Sequence, residues 1–392
     1  MAPPRADNQV DVLVVGGGPA GLFAASRLAA AGHRVLVCEE HETIGEPVHC
    51  TGILSANTFD EFDLPRESML NVLDRVRFVS PSGQALSYAP STPEAVVIDR
   101  GRFDRALASL ARAANADVRT GVRVRALTTT EDGVSAMAGE EPLRARLVVL
   151  ACGARYGVQR QAALGLPAQY LHTAQRELRA RRLRDVEVHF GRDIAPSGFG
   201  WAVPIARSDG PYVRVGVMAS HDAPRHFACM LDRVAPGWGI DRTDVSPRQK
   251  ILPLGAISRT YATRLLAVGD AAGLVKPTTG GGIYYSILSA SLAADVASRA
   301  LARDRLDASS LSIYELRWRA RLDREFQAQQ ALRRAATAMT DADIDDLFHL
   351  ARTNGVMPLV RRTARFNEHR HLIRALFRHQ PARKILYRAL AG

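Results

Sequence analysis

Lysine is nearly missing from this chain: it occurs at Lys250, Lys276 and Lys384 and nowhere else. Cysteine is almost as scarce. Cys38, Cys50, Cys152 and Cys229 stand far apart with no C-x-x-C pair. That spacing argues against a thiolate metal site or a disulfide framework, so no metal is expected and a reduced, cytoplasmic location is. No charge-free apolar run reaches the roughly 18 residues that a membrane-spanning helix needs. The nearest, Val12 to Ser26, contains three consecutive glycines. The N-terminus lacks the basic, apolar, small-residue order of a secretory signal. Internal repeats and low-complexity linkers are absent, and a G-x-G-x-x-G turn occurs once without a later partner.

What is present is the composition of a globular protein. Of 392 residues, 47% are hydrophobic and 23% charged, which excludes disorder, collagen and a bare coiled coil. A chain of this length buries roughly 75% of its unfolded surface. The net charge is +12, carried almost wholly by arginine. Residues 360–392 hold nine Arg and Lys against the single acid Glu368. Such a balance invites acidic ligands or an anionic membrane surface.

Val10 to Val15 reads as a buried parallel strand, followed at once by Gly16-Gly17-Gly18-Pro19-Ala20-Gly21. An alanine-rich helix to Ala31 and a strand at Arg34 to Cys38 complete a β-α-β unit. In such a unit Gly16 allows the tight turn, Gly18 lets backbone amides approach a pyrophosphate, and Gly21 lets helix and strand pack closely. The helix N-terminus favours phosphate. Glu39 ends the second strand, at the place of an acid that binds ribose hydroxyls. Further on, short strands are expected over 72–98, a helix over 104–114, and an antiparallel sheet from 186–190, 200–205 and 212–218. A late strand, Leu265 to Val268, runs into Gly269-Asp270, and Gly280-Gly281-Gly282-Ile283 opens a long helix.

Gly269-Asp270 after a late strand resembles the second flavin fingerprint of the glutathione-reductase-type fold, which points to FAD rather than NAD. Three further segments carry a closer resemblance: Gly45-x-Pro47-x-x-Cys50-x-Gly52, Arg100-x-x-x-Asp104 leading to Val122-x-Val124, and Pro196-Ser-Gly-Phe199-Gly-Trp201-Ala-Val203-Pro204. With Pro277-Thr-Thr-Gly280-Gly281-Gly282-Ile283, they make residues 10 to about 300 similar to the geranylgeranyl reductase family of flavoproteins.

That resemblance implies an α/β fold with three parts. A Rossmann-like FAD-binding domain takes residues 8–71, 95–160 and 255–305. An interleaved antiparallel-sheet substrate domain takes 72–94 and 161–254, and a helical basic region takes 306–392. It also implies cofactor contacts at Gly16, Gly18, Ala20, Gly21, Glu39, Cys50, Thr51, Arg100, Val124, Asp270, Gly281, Gly282 and Ile283. The alternative for Arg100 is an ion pair with Asp99 or Asp104. Phe199, Trp201 and Pro204 are the implied substrate contacts, and Cys50 is the candidate catalytic residue. The sequence departs from the family at Phe199 and Val203, where Tyr and Phe are usual, and at Cys152, where an acid is usual.

The implied chemistry saturates C=C bonds of an isoprenoid on a lipid, quinone or pigment precursor, by hydride from flavin N5 plus a proton. The flavin does the hydride chemistry and the protein positions, excludes water and tunes. The external electron donor, NADPH or a ferredoxin-like carrier, is not set by the sequence. A halogenase or monooxygenase on the same fold is the alternative; a halogenase would show W-x-W-x-I-P where this chain has one tryptophan. A membrane-associated binding protein with a vestigial flavin site is a third reading. Nucleic acid is not expected as a partner. In the basic tail, Leu359, Val360, Phe366, Ile373, Leu376 and Phe377 recur at helical spacing among arginines. Such a segment lies peripherally in a membrane interface or packs its apolar face on the protein's own core.

Overall fold

The computed structural model describes residues 9–241, 244–353 and 355–391; the outer limits expected at residues 8 and 392 fall outside them. In chain order the main elements are β1 (Gln9–Val15), α1 (Pro19–Ala30), β2 (Val35–Cys38), α2 (Arg100–Ala113), β3 (Glu141–Leu150), β4 (Gln169–Arg179), β5 (Val186–His189), β6 (Phe199–Arg207), β7 (Gly210–Ala219), α3 (Ala223–Trp238), β8 (Arg248–Leu254), β9 (Leu265–Ala267) and α4 (Ile283–Ala302). Helices α5 (Ala308–Ala338), α6 (Asp341–Thr353), α7 (Val356–Thr363), α8 (Arg370–Arg378) and α9 (Gln380–Ala391) follow.

The valine-rich β1 is buried on both faces, as a central parallel strand must be. It pairs in parallel with β2 on one side and β3 on the other. Strand β9 joins β3, and Asp117–Arg119 joins β2. Helices α1 and α4 pack together, burying Leu22 and Leu28 against Tyr285 and Ala293 in one continuous core. Pro19 starts α1 with its fixed φ, and a left-handed Gly32 lies just past the end. Helix α2 begins at Arg100, four residues earlier than the sequence pattern suggests. Asp99 caps it by accepting from the Arg102 N–H at 2.9 Å.

A second sheet runs β8-β4-β7-β6-β5 and continues through Val76–Val79 and Ala85–Tyr88. Helix α3 covers one face, where Phe227, Met230 and Val234 meet Ala202, Val213, Val215 and Val217. Alternation along the strands sends Phe199, Trp201 and Met218 to the opposite face, against Leu171, Leu252 and Leu254. Strands β4 and β8 and helix α3 were not evident in the sequence; Arg176 breaks the apolar alternation of β4, and Lys250 and Pro253 break that of β8.

Helix α5 fastens the C-terminal helices to the first sheet. Trp318 and Tyr314 are fully buried; Trp318 Nε1 donates to Thr260 Oγ1 at 2.9 Å and Tyr314 OH to the Ala267 carbonyl at 2.8 Å. The tail then folds back on α5 and α6. Leu376, Phe377, Ile385 and Leu386 pack with Ala335, Met339 and Leu347, and Ile373 is buried. Of the two readings of the tail's apolar face, membrane interface or own core, these contacts favour the core for Ile373, Leu376, Phe377, Ile385 and Leu386. Among the described residues no helix is long and apolar enough to cross a membrane.

Candidate active site

The turn between β1 and α1 is set by backbone contacts that admit no side chain. Gly16 has φ +109°, and a Cβ there would stand 2.4 Å from the Ala151 carbonyl oxygen. A Cβ at Gly21 would stand 2.0 Å from the Gly16 oxygen. Gly18 differs: a Cβ there would meet nothing within 4 Å. It caps α1 without a side-chain hydrogen bond, and no acid occupies the first turn. The first N–H groups of the helix thus have no side-chain cap. At the end of β2, Glu39 accepts from the Gly17 N–H at 2.6 Å and the His41 N–H at 3.0 Å.

Two later segments meet this turn. A Cβ at Gly269 would lie 3.2 Å from the Ala20 Cβ and 2.8 Å from Ser286 Oγ on α4. Asp270 faces the start of α4, where a Cβ at Gly282 would be 3.0 Å from its Oδ1. Its Oδ2 lies 3.5 Å from Lys250 Nζ on β8. The sequence reading missed Lys250; the available signal was its being one of three lysines among arginines.

The loop holding Cys50 is positioned from far along the chain. Arg214, 4% exposed on β7, donates to the carbonyls of Thr51 and Ile98 and to Glu177. Thr51 Oγ1 donates to Gln175 Oε1 on β4 at 3.0 Å. Cys50 Sγ accepts from the Gly52 N–H at 3.3 Å. Arg100 is committed to Asp104 through two hydrogen bonds of 3.2 and 2.9 Å. Burial works against the Arg100 charge, but Asp104 and the adjacent Cys50 more than offset it. Asp99, the other candidate partner, pairs with Arg207 instead. His49 beside the loop is pushed down by burial and by Lys250 and Arg248, and its Nδ1 has no partner among the described residues.

Trp201 lies over Gly216, where a Cβ would be 2.4 Å from its ring and 2.8 Å from the Gln175 Cβ. Gln175 therefore links the Cys50–Thr51 loop to the tryptophan. Phe199 stands edge-on to Trp201 at 5.9 Å, and Phe190 and Phe348 extend the aromatic surface. Gly280 abuts Leu252 and Met218 on this same face. Pro204 does not join it. It pairs with Val213, which faces α3, so strand alternation turns its ring away from Trp201 and removes it from the substrate contacts. A separate cavity of about 390 Å³, lined by Arg77, His189 and Arg233 among others, opens on that α3 side.

Comparison with known proteins places this geometry. The family described as lycopene cyclase protein matches residues 11–366. The digeranylgeranylglycerophospholipid reductase of Methanocaldococcus jannaschii is 30% identical over 356 residues, 86% of this chain and 89% of that protein. Digeranylgeranylglycerophospholipid reductase 2 of Methanothermobacter thermautotrophicus is 31% identical, covering 86% and 90%. The chain belongs to the geranylgeranyl reductase family. Its fold is that of a geranylgeranyl bacteriochlorophyll reductase-like protein from Thermoplasma acidophilum, with a TM-score of 0.84 at 24% identity over 97% of this chain and 99% of that one. A mutant of the halogenase PltM in complex with FAD shares the fold more loosely, with a TM-score of 0.69 at 16% identity over 97% and 86%.

This family member is an FAD-dependent oxidoreductase, and its residues fit the cofactor. The uncapped, acid-free start of α1 beneath Gly18 suits a pyrophosphate. Val124 sits apart from the Cys50 loop, in the strand Val124–Thr129, buried and paired with Ala138 beside a bulge. Cys152, in the place of the usual acid, donates to the Arg155 carbonyl at 3.3 Å, and burial pushes its thiol up to about 11.

Proposed function

We propose that this flavoenzyme saturates C=C bonds of an isoprenoid chain carried on a lipid. One observation carries the reading: an aromatic and aliphatic wall of Phe199, Trp201, Met218 and Leu252 adjoins both the Cys50–Thr51 loop, through Gln175, and the loop that opens α4. The relatives named digeranylgeranylglycerophospholipid reductase support the same substrate class.

Reduced FAD supplies the hydride for the double bond. Gly16, Gly18, Ala20, Gly21 and Glu39 would hold its adenosine and pyrophosphate half, with Val124 at the adenine. Asp270 would take the ribityl chain, and Thr51, Gly281, Gly282 and Ile283 would border the ring. The chain's own work lies around that group. An isoprenoid double bond is unactivated, so positive charge builds at its more substituted carbon. The faces of Trp201 and Phe199 stabilise such charge while excluding water. Cys50 holds the proton delivered to the other carbon, with Arg100 and the Gly52 N–H fixing its sulfur. Arg100 acts through Cys50 and Asp104 rather than on a phosphate. Each buried CH₂ of the prenyl chain contributes about 0.8 kcal/mol to binding.

The membrane enters through charge alone. Arg361, Arg362, Arg365, Arg374, Arg378 and Arg383 are exposed on the tail, and each basic group close to anionic lipid contributes about 1 kcal/mol. Flotation with anionic vesicles should succeed at low salt and fail at high salt. For the reaction itself, the test is anaerobic reduction of the holoenzyme followed by addition of a digeranylgeranyl glycerophospholipid. The lipid should gain two hydrogens per double bond. An unchanged lipid, with an oxygenated or halogenated aromatic product formed in air, would move the reading to the monooxygenase and halogenase branch.

A further inference from the structure

Lys276 is 3% exposed, at the foot of the loop that opens α4. Its main chain closes that loop: its N–H donates to the Gly281 carbonyl at 3.2 Å, and its carbonyl accepts from the Gly280 N–H at 2.9 Å. Its side chain reaches away, into the C-terminal segment. Nζ donates to the Phe366 carbonyl at 2.8 Å and to Asn367 Oδ1 at 2.9 Å, and lies 4.7 Å from the centre of the Phe366 ring.

The contact is one of a set. Thr278 Oγ1 lies 2.8 Å from His369 Nδ1 and donates to Gln329 Oε1 at 3.0 Å. Gln329, fully buried on α5, donates to Tyr285 OH on α4 and to Glu325 Oε1. Glu325 accepts the N–H groups of His369 and Arg370. On the other side, the Phe366 N–H donates to Glu94 Oε2 at 2.8 Å. Residues 364–369, between α7 and α8, thus form a strap from Glu94, just ahead of the strand Ala95–Ile98, to α5, pinned midway to the loop.

Packing does not require these groups. A methionine would fill the space of Lys276, whereas a buried amine costs desolvation unless its donors are satisfied. What a satisfied polar network adds is position, since hydrogen bonds fix distance and direction where apolar contacts allow sliding. Loss of a buried hydrogen bond is worth roughly a five- to tenfold change in an equilibrium.

We propose that the strap is a working part of the cofactor site and that Lys276 is its positioning residue, fixing the backbone of Gly281, Gly282 and Ile283 for FAD. The inference rests on the assignment of that backbone to the cofactor made above.

The test compares FAD dissociation constants, read by quenching of flavin fluorescence on titrating FAD into apoprotein, with thermal midpoints. The variants are Lys276→Met, Asn367→Ala, the double variant, and Ile373→Ala as a control that loosens α8 without touching the loop. Lys276→Met should weaken FAD binding about tenfold and Asn367→Ala by a smaller factor. The double variant should match Lys276→Met, because both remove one contact. Ile373→Ala should lower the midpoint and leave the dissociation constant in place. Wild-type FAD affinity in both Lys276→Met and Asn367→Ala would overturn the proposal, whatever their midpoints. If Lys276→Met does not fold, Asn367→Ala decides alone. Gly282→Val tests the assignment beneath: a wild-type dissociation constant there would show that the loop does not hold FAD, a failure distinct from that of the strap.

Discussion

Two of the glycine-bearing loops of the site are built in opposite ways. The turn after β1 is held by backbone against backbone, within a few residues and its neighbouring strand: Gly21 against Gly16, Gly16 against Ala151. The loop from Gly45 to Gly52 is held by side chains from far away, Arg214 and Gln175 across the second sheet and Arg100 at the start of α2. The first arrangement depends on Gly16 and Gly21, where a side chain has no room. The second depends on residues that no local motif reveals.

The sharpest break of this comparison is within the first turn. Gly21→Ala should abolish both folding and FAD binding, because its methyl would sit 2.0 Å from a carbonyl oxygen that cannot move away. Gly18→Ala adds the same methyl to open space. It should leave the apoprotein's stability within about 0.5 kcal/mol of wild type and weaken FAD binding. Thermal melts and FAD titrations on the two variants separate a structural glycine from a ligand-facing one.

The same contrast explains what could be read from the sequence. The β-α-β unit, Glu39, Asp270 and the Gly280–Ile283 helix start were legible because each obeys a local rule of spacing. The middle motif marked strand β6, but membership of a motif does not say which face of a strand a residue takes, and Pro204 turns to the α3 face while Trp201 does not. Arg214 and Gln175 were invisible, and Lys250 and Lys276 stood out only as two of the chain's three lysines. They act from single positions on elements whose neighbours are known only once the sheets are assembled. The tail's helical periodicity was correctly seen, yet periodicity alone does not tell a membrane face from a core face, and α5 and α6 supply the core.

For the second loop the expected break is Arg214→Met. Removing a guanidinium that serves Glu177 and two carbonyls should cost about 3–5 kcal/mol and free residues 45–52. Limited proteolysis should find that loop cleaved in the variant and protected in wild type; a protected loop would mean that Gln175 suffices. Cys50→Ala should retain FAD and lower turnover by about 10²-fold, the scale of a lost proton donor. Unchanged turnover would take Cys50 out of the chemistry.

The smallest effect is one of pH. Burial pushes Lys276 down to about 7, against about 10.4 for a free lysine. Between those values the unfolded chain holds a proton that the folded chain has released, so folding grows more favourable as pH rises. From about pH 7 to 9 the gain should be about 1 kcal/mol per pH unit. Above that, buried Cys38 and Cys152, both pushed up to about 11, reverse the trend. Lys276→Met should flatten the rise in thermal midpoint between pH 7 and 9, and a rise of equal slope in the variant would assign it to another group.

The account stands or falls on the aromatic wall serving the substrate while the glycine turns serve the cofactor. The direct measurement is the anaerobic rate at which a digeranylgeranyl lipid reoxidises the reduced flavin, in wild type and in Trp201→Ala, beside their FAD dissociation constants. Trp201→Ala should bind FAD within about twofold of wild type and reoxidise about 10²-fold more slowly. An unchanged rate, or parallel loss of FAD affinity and rate, would contradict the division of the site.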